Sequence, residues 1–340
     1  MTLDRVECGD PPPARAAFDH LPACAGTTPS TLAPRLPGEL EREICGLAGW
    51  ADEQTMLQLS IVARRFYEWV RPLRLRVVSL WSNQELAHFL KLFPPSDPKE
   101  VASPASALPR PDSNYIRHLA LSCSMERSTV AHILSVTKNL TNLALWTGST
   151  SPPLLPMLQP LTQLRRLSVN LAELLWEDGN DTSVPSAAKL APLAQLTHLH
   201  VTIPAFSLMS SNLIPVFAAL PALTHLALSD MPQAEFLQWV LVPGGAKLTL
   251  RVVVVVWTFA AAEEDVEDFD DAAAQCESEL SADLPRFCVL YCTDLQSDWQ
   301  SGAWGDSVNI WTRAEARLKW RATERQKKLA TGERKALPSQ

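Results

Sequence analysis

A short apolar motif recurs through the middle of the chain, with an aliphatic residue at its first, fourth and sixth places. It reads Ile116-Arg117-His118-Leu119-Ala120-Leu121, then Leu140-Thr141-Asn142-Leu143-Ala144-Leu145 and Leu164-Arg165-Arg166-Leu167-Ser168-Val169. Leu196-Thr197-His198-Leu199-His200-Val201 and Leu223-Thr224-His225-Leu226-Ala227-Leu228 complete the series. The copies start 24, 24, 32 and 27 residues apart, steps in or near the range of leucine-rich repeats. Places four and six alternate with polar or small residues, the period of a strand buried on one side. One such strand leaves its apolar side open, and stacking the next copy covers it. Five copies favour an α/β solenoid over an ordinary sheet with alternating strands and helices. The pattern predicts an irregular leucine-rich-repeat solenoid of six to eight parallel strands, with helices on the convex side. None of the copies has the Asn or Cys that usually follows the last motif leucine by three residues and satisfies loop backbone groups. The loops must be held in another way.

The flanks read differently. Residues 1–35 are rich in Pro, Ala and Thr without periodicity, and are expected to be a disordered arm. Leu36-Pro37 opens a helical pattern with Leu40, Ile44 and Leu47 on one side. A second pattern carries Met56, Leu57, Ile61, Val62, Phe66, Trp69 and Val70, and Pro72 closes it. Two short amphipathic helices bury little alone, so they must pack on each other or on a partner. This helical segment is placed at 36–74. The repeat region is placed at 75–295, with further strands expected at 75–80, 247–257 and 286–292. A helix is expected at 86–92, and a loose Pro- and Ser-rich loop at 94–112. The acidic run beginning at Glu263 predicts a solvated insertion over 263–283. A C-terminal cap and helix follow at 296–326, with Ala314, Leu318 and Ala322 on one helix side, then a fraying basic tail at 327–340.

Composition narrows the function classes. With 340 residues, 46% of them apolar, the chain can bury a sizeable core. A net charge of -7 argues against a dedicated nucleic-acid binder. Seven cysteines without Cys-x-x-Cys spacing fit reduced thiols in the cytoplasm or nucleus. No signal-peptide pattern opens the chain. The most apolar stretch, 252–262, is about half the length of a membrane-spanning helix, and its five consecutive valines suit a buried strand.

Strand alternation places motif positions three and five on the face opposite the core, the concave face of a solenoid. Position three reads His118, Asn142, Arg166, His198 and His225. Position five holds small residues and His200, and Trp146 lies one step further on. This strip is the candidate partner-binding surface. The plain alternative is that an exposed strand face is polar anyway. His198, His200 and His225 lack a carboxylate or cysteine in motif register, so surface histidines are expected rather than a zinc site. No phosphate loop, Gly-x-Ser-x-Gly elbow or His-Glu-x-x-His occurs. No catalytic residue, metal or cofactor is therefore expected, and the chain is read as non-enzymatic.

The segment Leu36-Pro37-x-Glu39-Leu40-x-x-x-Ile44-x-x-Leu47 resembles the opening helix of an F-box. Leu57 to Val62, followed by Arg64-Arg65-Phe66 and Trp69, resembles its continuation. The chain as a whole resembles fungal F-box-like proteins with divergent leucine-rich repeats, and Asp298-Trp299 with Trp311-Thr312-Arg313-Ala314-Glu315 is similar to a recurring C-terminal piece of that group. Only two helices of the fuller F-box pattern are evident. The resemblance implies a substrate-recognition subunit of a cullin-type ubiquitin ligase. Leu36, Pro37, Leu40, Ile44, Leu57 and Val62 would dock a Skp-type adaptor, and the repeats would hold a target protein. The same helices could instead only cap the solenoid, leaving a scaffold without a ligase link.

Overall fold

In a computed structural model, the structure describes residues 36–94, 111–147, 154–175, 186–202, 210–229, 236–237, 240, 249–258, 273, 275, 277, 285–305 and 308–330. The arm at 1–35, the acidic run 263–271, the tail from 331 and most of the 94–112 loop lie outside them. The chain divides into two compact units between Ile44 and Cys45.

Residues 36–44 begin helix α1 (Gly38–Ala51). The Pro37 carbonyl accepts the Glu41 N–H at 3.0 Å, as the opening turn of a helix requires. In the second unit, α2 (Glu53–Val62) is capped by Asp52, whose carboxylate accepts the N–H groups of Gln54 and Thr55. Helix α3 (Arg64–Arg74) follows and leads into strand β1 (Val77–Leu80). Helix α4 (Asn83–Leu92) starts with a full capping box between Ser82 and Glu85.

The strands that follow are β2 (His118–Leu121), β3 (Asn142–Leu145), β4 (Arg166–Val169), β5 (His198–Val201), β6 (His225–Ser229), β7 (Val252–Trp257) and β8 (Phe287–Tyr291). Helices α5 (Arg127–Val136), α6 (Leu171–Leu175), α7 (Ala187–Leu190) and α8 (Ser210–Ala218) lie between them in sequence. Helices α9 (Leu295–Trp304) and α10 (Ile310–Ala330) close the chain. The eight strands form one sheet in sequence order, every neighbouring pair parallel. The chain is thus an α/β protein built on a single parallel sheet.

The five motif copies coincide with β2 to β6 in strict register, Leu119 beside Leu143, Leu167, Leu199 and Leu226. Places one, four and six enter one continuous core with α5, α6, α7 and α8. A longer motif is also present. Leu161, Leu193 and Leu220 are buried three residues before the first motif leucine, and each carbonyl accepts the N–H of that leucine at 2.9 to 3.1 Å.

Loop support comes from the strand starts. Each position-two carbonyl accepts N–H groups from positions two and three of the next strand. The hydroxyls of Thr141, Thr197 and Thr224 donate to those same carbonyls at 3.1 Å. The Arg117 and Arg286 guanidinium groups reach further loop carbonyls, of Asn139 and Leu250. A threonine–arginine ladder therefore does what the missing asparagines would do.

Candidate functional site

The expected polar strip exists. Register places His118, Asn142, Arg166, His198 and His225 side by side across β2 to β6, with Ala120, Ala144, Ser168, His200 and Ala227 in the next row. Its exposure is what requires correction. Helices α9 and α10 lie on this face, so much of the strip is the floor of an internal contact. Asn142, His200 and His225 are buried, and His118, Arg166, His198 and Trp146 are partly covered. The histidines are not the free surface groups that alternation suggested.

The covering helices are seated by aromatic and polar contacts. Trp299 of α9 packs with Val77, Ala120, Ala144 and Ala303, and its Nε1–H donates to Asn142 Oδ1 at 3.2 Å. Small residues in row five make room for that ring. Trp81 stacks on Trp146 at 5.6 Å and meets Trp299 edge-on. Trp311 of α10 stands edge-on over His198 and His225, whose rings stack at 4.1 Å with an interplanar angle of 8°. Toward the end of the sheet, Val252, Val254, Val256 and Leu290 pack with Ile310 and Ala314. Ala322, expected on the same helix side, is exposed.

A hydrogen-bonded chain runs beneath this cover from Trp146, just past β3, across β4 and β5 to β6. Trp146 Nε1–H donates to Ser168 Oγ at 2.7 Å, Ser168 Oγ lies 2.9 Å from His200 Nδ1, and His200 Nε2 lies 3.1 Å from Ser229 Oγ. A neutral ring with its proton on Nε2 satisfies every member, Ser168 donating to Nδ1 and Nε2–H donating to Ser229. Burial pushes the His200 pKa down to about 4, which favours that neutral ring. The neighbouring rows behave alike. Burial first, and then nearby cations, lower His118 to about 4. Burial and then the His225 ring lower His198 to about 3. His225 is also lowered by burial, against the pull of Glu315, whose carboxylate lies 3.1 Å from Nε2.

A cavity of about 30 Å³ remains between Asn142, Arg166, Ser168 and His200 of the sheet and Asp298, Trp299 and Trp311 of the cover. It has room for a water or two. Asp298 holds the two helices together by accepting the Ile310 N–H at 2.9 Å and an Arg313 N–H at 2.9 Å. Among the described residues, no group of three or more His, Cys, Asp or Glu side chains is arranged to hold a metal ion.

The expected docking residues occupy different surroundings. In the first unit Leu36, Leu40 and Ile44 are exposed, as is Pro37. In the second unit Leu57 and Val62 are exposed, together with Leu47 and Ile61, while Met56 and Val70 are buried. Trp299, Trp311, Glu315 and Ser229 were not among the expected site residues. One sequence signal pointed to a cover: β7 is apolar at both strand phases, which an open face would not favour.

The fold and this covered strip define a parallel-sheet α/β protein whose C-terminal helix pair packs on the sheet face opposite the repeat core. Compared with protein-family models and with curated proteins, the chain matches none. Among the described residues, no helix is long and apolar enough to cross a membrane.

Proposed function

We propose that this chain is a non-catalytic protein-recognition module: a divergent leucine-rich-repeat array headed by an F-box-like segment that docks a Skp-type adaptor of a cullin-type ubiquitin ligase. The observation that carries the reading is apolar exposure in the head. Leu57, Ile61 and Val62 leave 45%, 85% and 66% of their surface in water, and Leu40 and Ile44 leave 48% and 53%. Large aliphatic side chains left in water on short helices, in each unit taken by itself, are groups that a partner would cover. Support for a non-catalytic role comes from His200. It bridges two serine hydroxyls, as a catalytic base would, but it is buried, and among the described residues its side-chain partners are Ser168 and Ser229. The compartment that suits this role is the cytoplasm or nucleus.

Mixing the purified chain with a Skp-type adaptor tests the reading. A complex is expected in the micromolar range or tighter. Leu57→Glu with Val62→Glu should weaken it by at least about 100-fold, because a buried carboxylate in an apolar contact has no partner. The thermal midpoint should not fall, since both side chains are already exposed. No complex at tens of micromolar, or full binding by the doubly substituted chain, would leave the head as a cap and the protein as a scaffold.

A further inference from the structure

A cavity of about 410 Å³ opens between the last turns of α3 and α4 and the short helix Pro111–Tyr115. Both long helices stop here for local reasons. Pro72 stands in the last turn of α3 without the N–H that a continuing helix needs. Pro94 directly follows Phe93, the C-cap of α4. Phe93 forms a fixed wall. It is 5% exposed, its ring lies 4.8 Å from that of Phe89, and its carbonyl lies 2.7 Å from His132 Nε2. Tyr67 and Leu92 stand toward water, and Leu75 adds to the apolar lining. Arg71 pairs with Asp112 and lies 5.9 Å from the centre of the Tyr67 ring. Arg74, three residues on, is a second guanidinium of the lining and is exposed. Among the described residues the lining thus carries two cations and one anion. Arginines in a last helical turn also offset the helix dipole. That accounts for their sign, but not for a space of small-molecule size beside them.

We propose that this cavity binds a small aromatic carboxylate. An excess of one positive charge in the described lining matches one carboxylate, whereas a phosphate group brings nearly two negative charges. An arginine fork takes a carboxylate through two parallel N–H donors. The rings of Tyr67 and Phe93 offer faces and edges to an aromatic body, a closer match than to an aliphatic chain. Phe93 is held before anything binds, so little freedom is lost there on binding. The lining comes from α3, α4 and the 111–115 helix and not from Leu57 or Val62, so the inference stands independently of the docking role of the head.

The test is isothermal titration calorimetry of 2-naphthoate into the full-length chain at pH 7.5 and low salt. A single saturable site with a Kd of about 100 μM or tighter is expected. The amide 2-naphthamide has nearly the same shape without the charge, and should bind at least about tenfold more weakly. Arg74→Gln should weaken naphthoate by at least about tenfold and leave the amide unchanged. Leu92→Asp, which sets a carboxylate against that of the ligand, should abolish naphthoate binding. Arg74 and Leu92 are both exposed, so both variants should keep the wild-type thermal midpoint. The chain carrying Leu57→Glu with Val62→Glu should bind naphthoate as wild type does. Absence of a saturable wild-type signal, or equal affinity for the amide, overturns the inference. So does full affinity in Arg74→Gln or Leu92→Asp. Loss of naphthoate binding in the doubly substituted head overturns it too, by locating the ligand on the docking surface, as does complete displacement by millimolar inorganic phosphate, which would mark a site for a simple anion.

Discussion

His200 shows how one side chain can look like a surface group in sequence and be a structural one in space. Its ring has a hydroxyl on either side and no exposure to water, and burial holds its pKa at about 4. His118, His198 and His225 are lowered in the same direction. In the unfolded chain each would titrate near its ordinary value of about 6.5. Below that pH the unfolded state binds more protons than the folded one, so stability falls as pH falls from about 6.5 toward 4 and is fully present above neutrality. Thermal midpoints measured from pH 8 to pH 4.5 should therefore be flat above pH 7 and drop progressively below about 6.5. His200→Asn should flatten that drop, because one of the titrating rings is gone. It should also cost about 2 kcal/mol at pH 7.5, since an asparagine cannot reach both hydroxyls. An unchanged midpoint down to pH 4.5 in the wild-type chain would show that these rings are open to water.

At the scale of elements, β8 ends the sheet and should offer its outer backbone groups to any passing strand. Three of those groups are occupied. Arg321 donates to the Phe287 carbonyl at 2.6 Å, Arg313 donates to the Tyr291 carbonyl at 2.9 Å, and the Val289 N–H donates to Glu277 at 2.8 Å. Glu277 in turn accepts two hydrogen bonds from Arg317 at 2.8 and 3.2 Å. Arginines at positions 313, 317 and 321 of α10 are one helical turn apart, which is why one helix can reach the whole edge. Glu277→Ala should destabilise the chain by about 3 kcal/mol, taking their acceptor from the Arg317 guanidinium and the Val289 N–H, and should promote concentration-dependent association in light scattering. Glu277→Gln keeps an acceptor for the N–H and should cost less. Equal midpoints for Glu277→Ala and wild type would sink this account of the edge. Glu277 also marks a limit of the sequence. It falls inside the acidic stretch expected to be solvated, yet it is buried, because a carboxylate's surroundings depend on arginines 40 residues away. The strands were legible since an apolar residue at every second place, repeated at steady intervals, has few other folded solutions; even Leu75-Arg76-Val77-Val78-Ser79-Leu80 falls into register. The seat of α9 and α10 was not legible. A polar row facing water and a polar row facing tryptophan N–H groups and a glutamate read the same in one dimension.

For the whole molecule, the question is whether the C-terminal helix pair is a removable cover over a recognition surface or a third layer of the fold. The contacts favour a layer. Trp299 and Ala303 at one end, and Ile310 and Ala314 at the other, are buried against alanines and valines that would otherwise face water. Among the described residues, Val252, Val254, Val256, Cys288 and Leu290 share that cluster with Leu295, Ile310, Trp311, Ala314 and Leu318 of the two helices. Exposing five such residues at once creates a contiguous apolar patch of the sort that drives association. A chain ending at residue 293 should consequently fail to give a cooperative thermal transition and should elute as aggregate in size-exclusion chromatography. A gentler version, Trp299→Ala, should keep the fold but lower stability by about 3 kcal/mol through the cavity it leaves and the loss of the Asn142 acceptor's partner. If the truncated chain were instead monomeric with an unchanged midpoint, the helix pair would be a detachable lid, and the buried histidine row would regain its standing as a surface that partners touch. With the layer in place, the recognition proposed for this chain would fall to the exposed apolar side chains of the first helices.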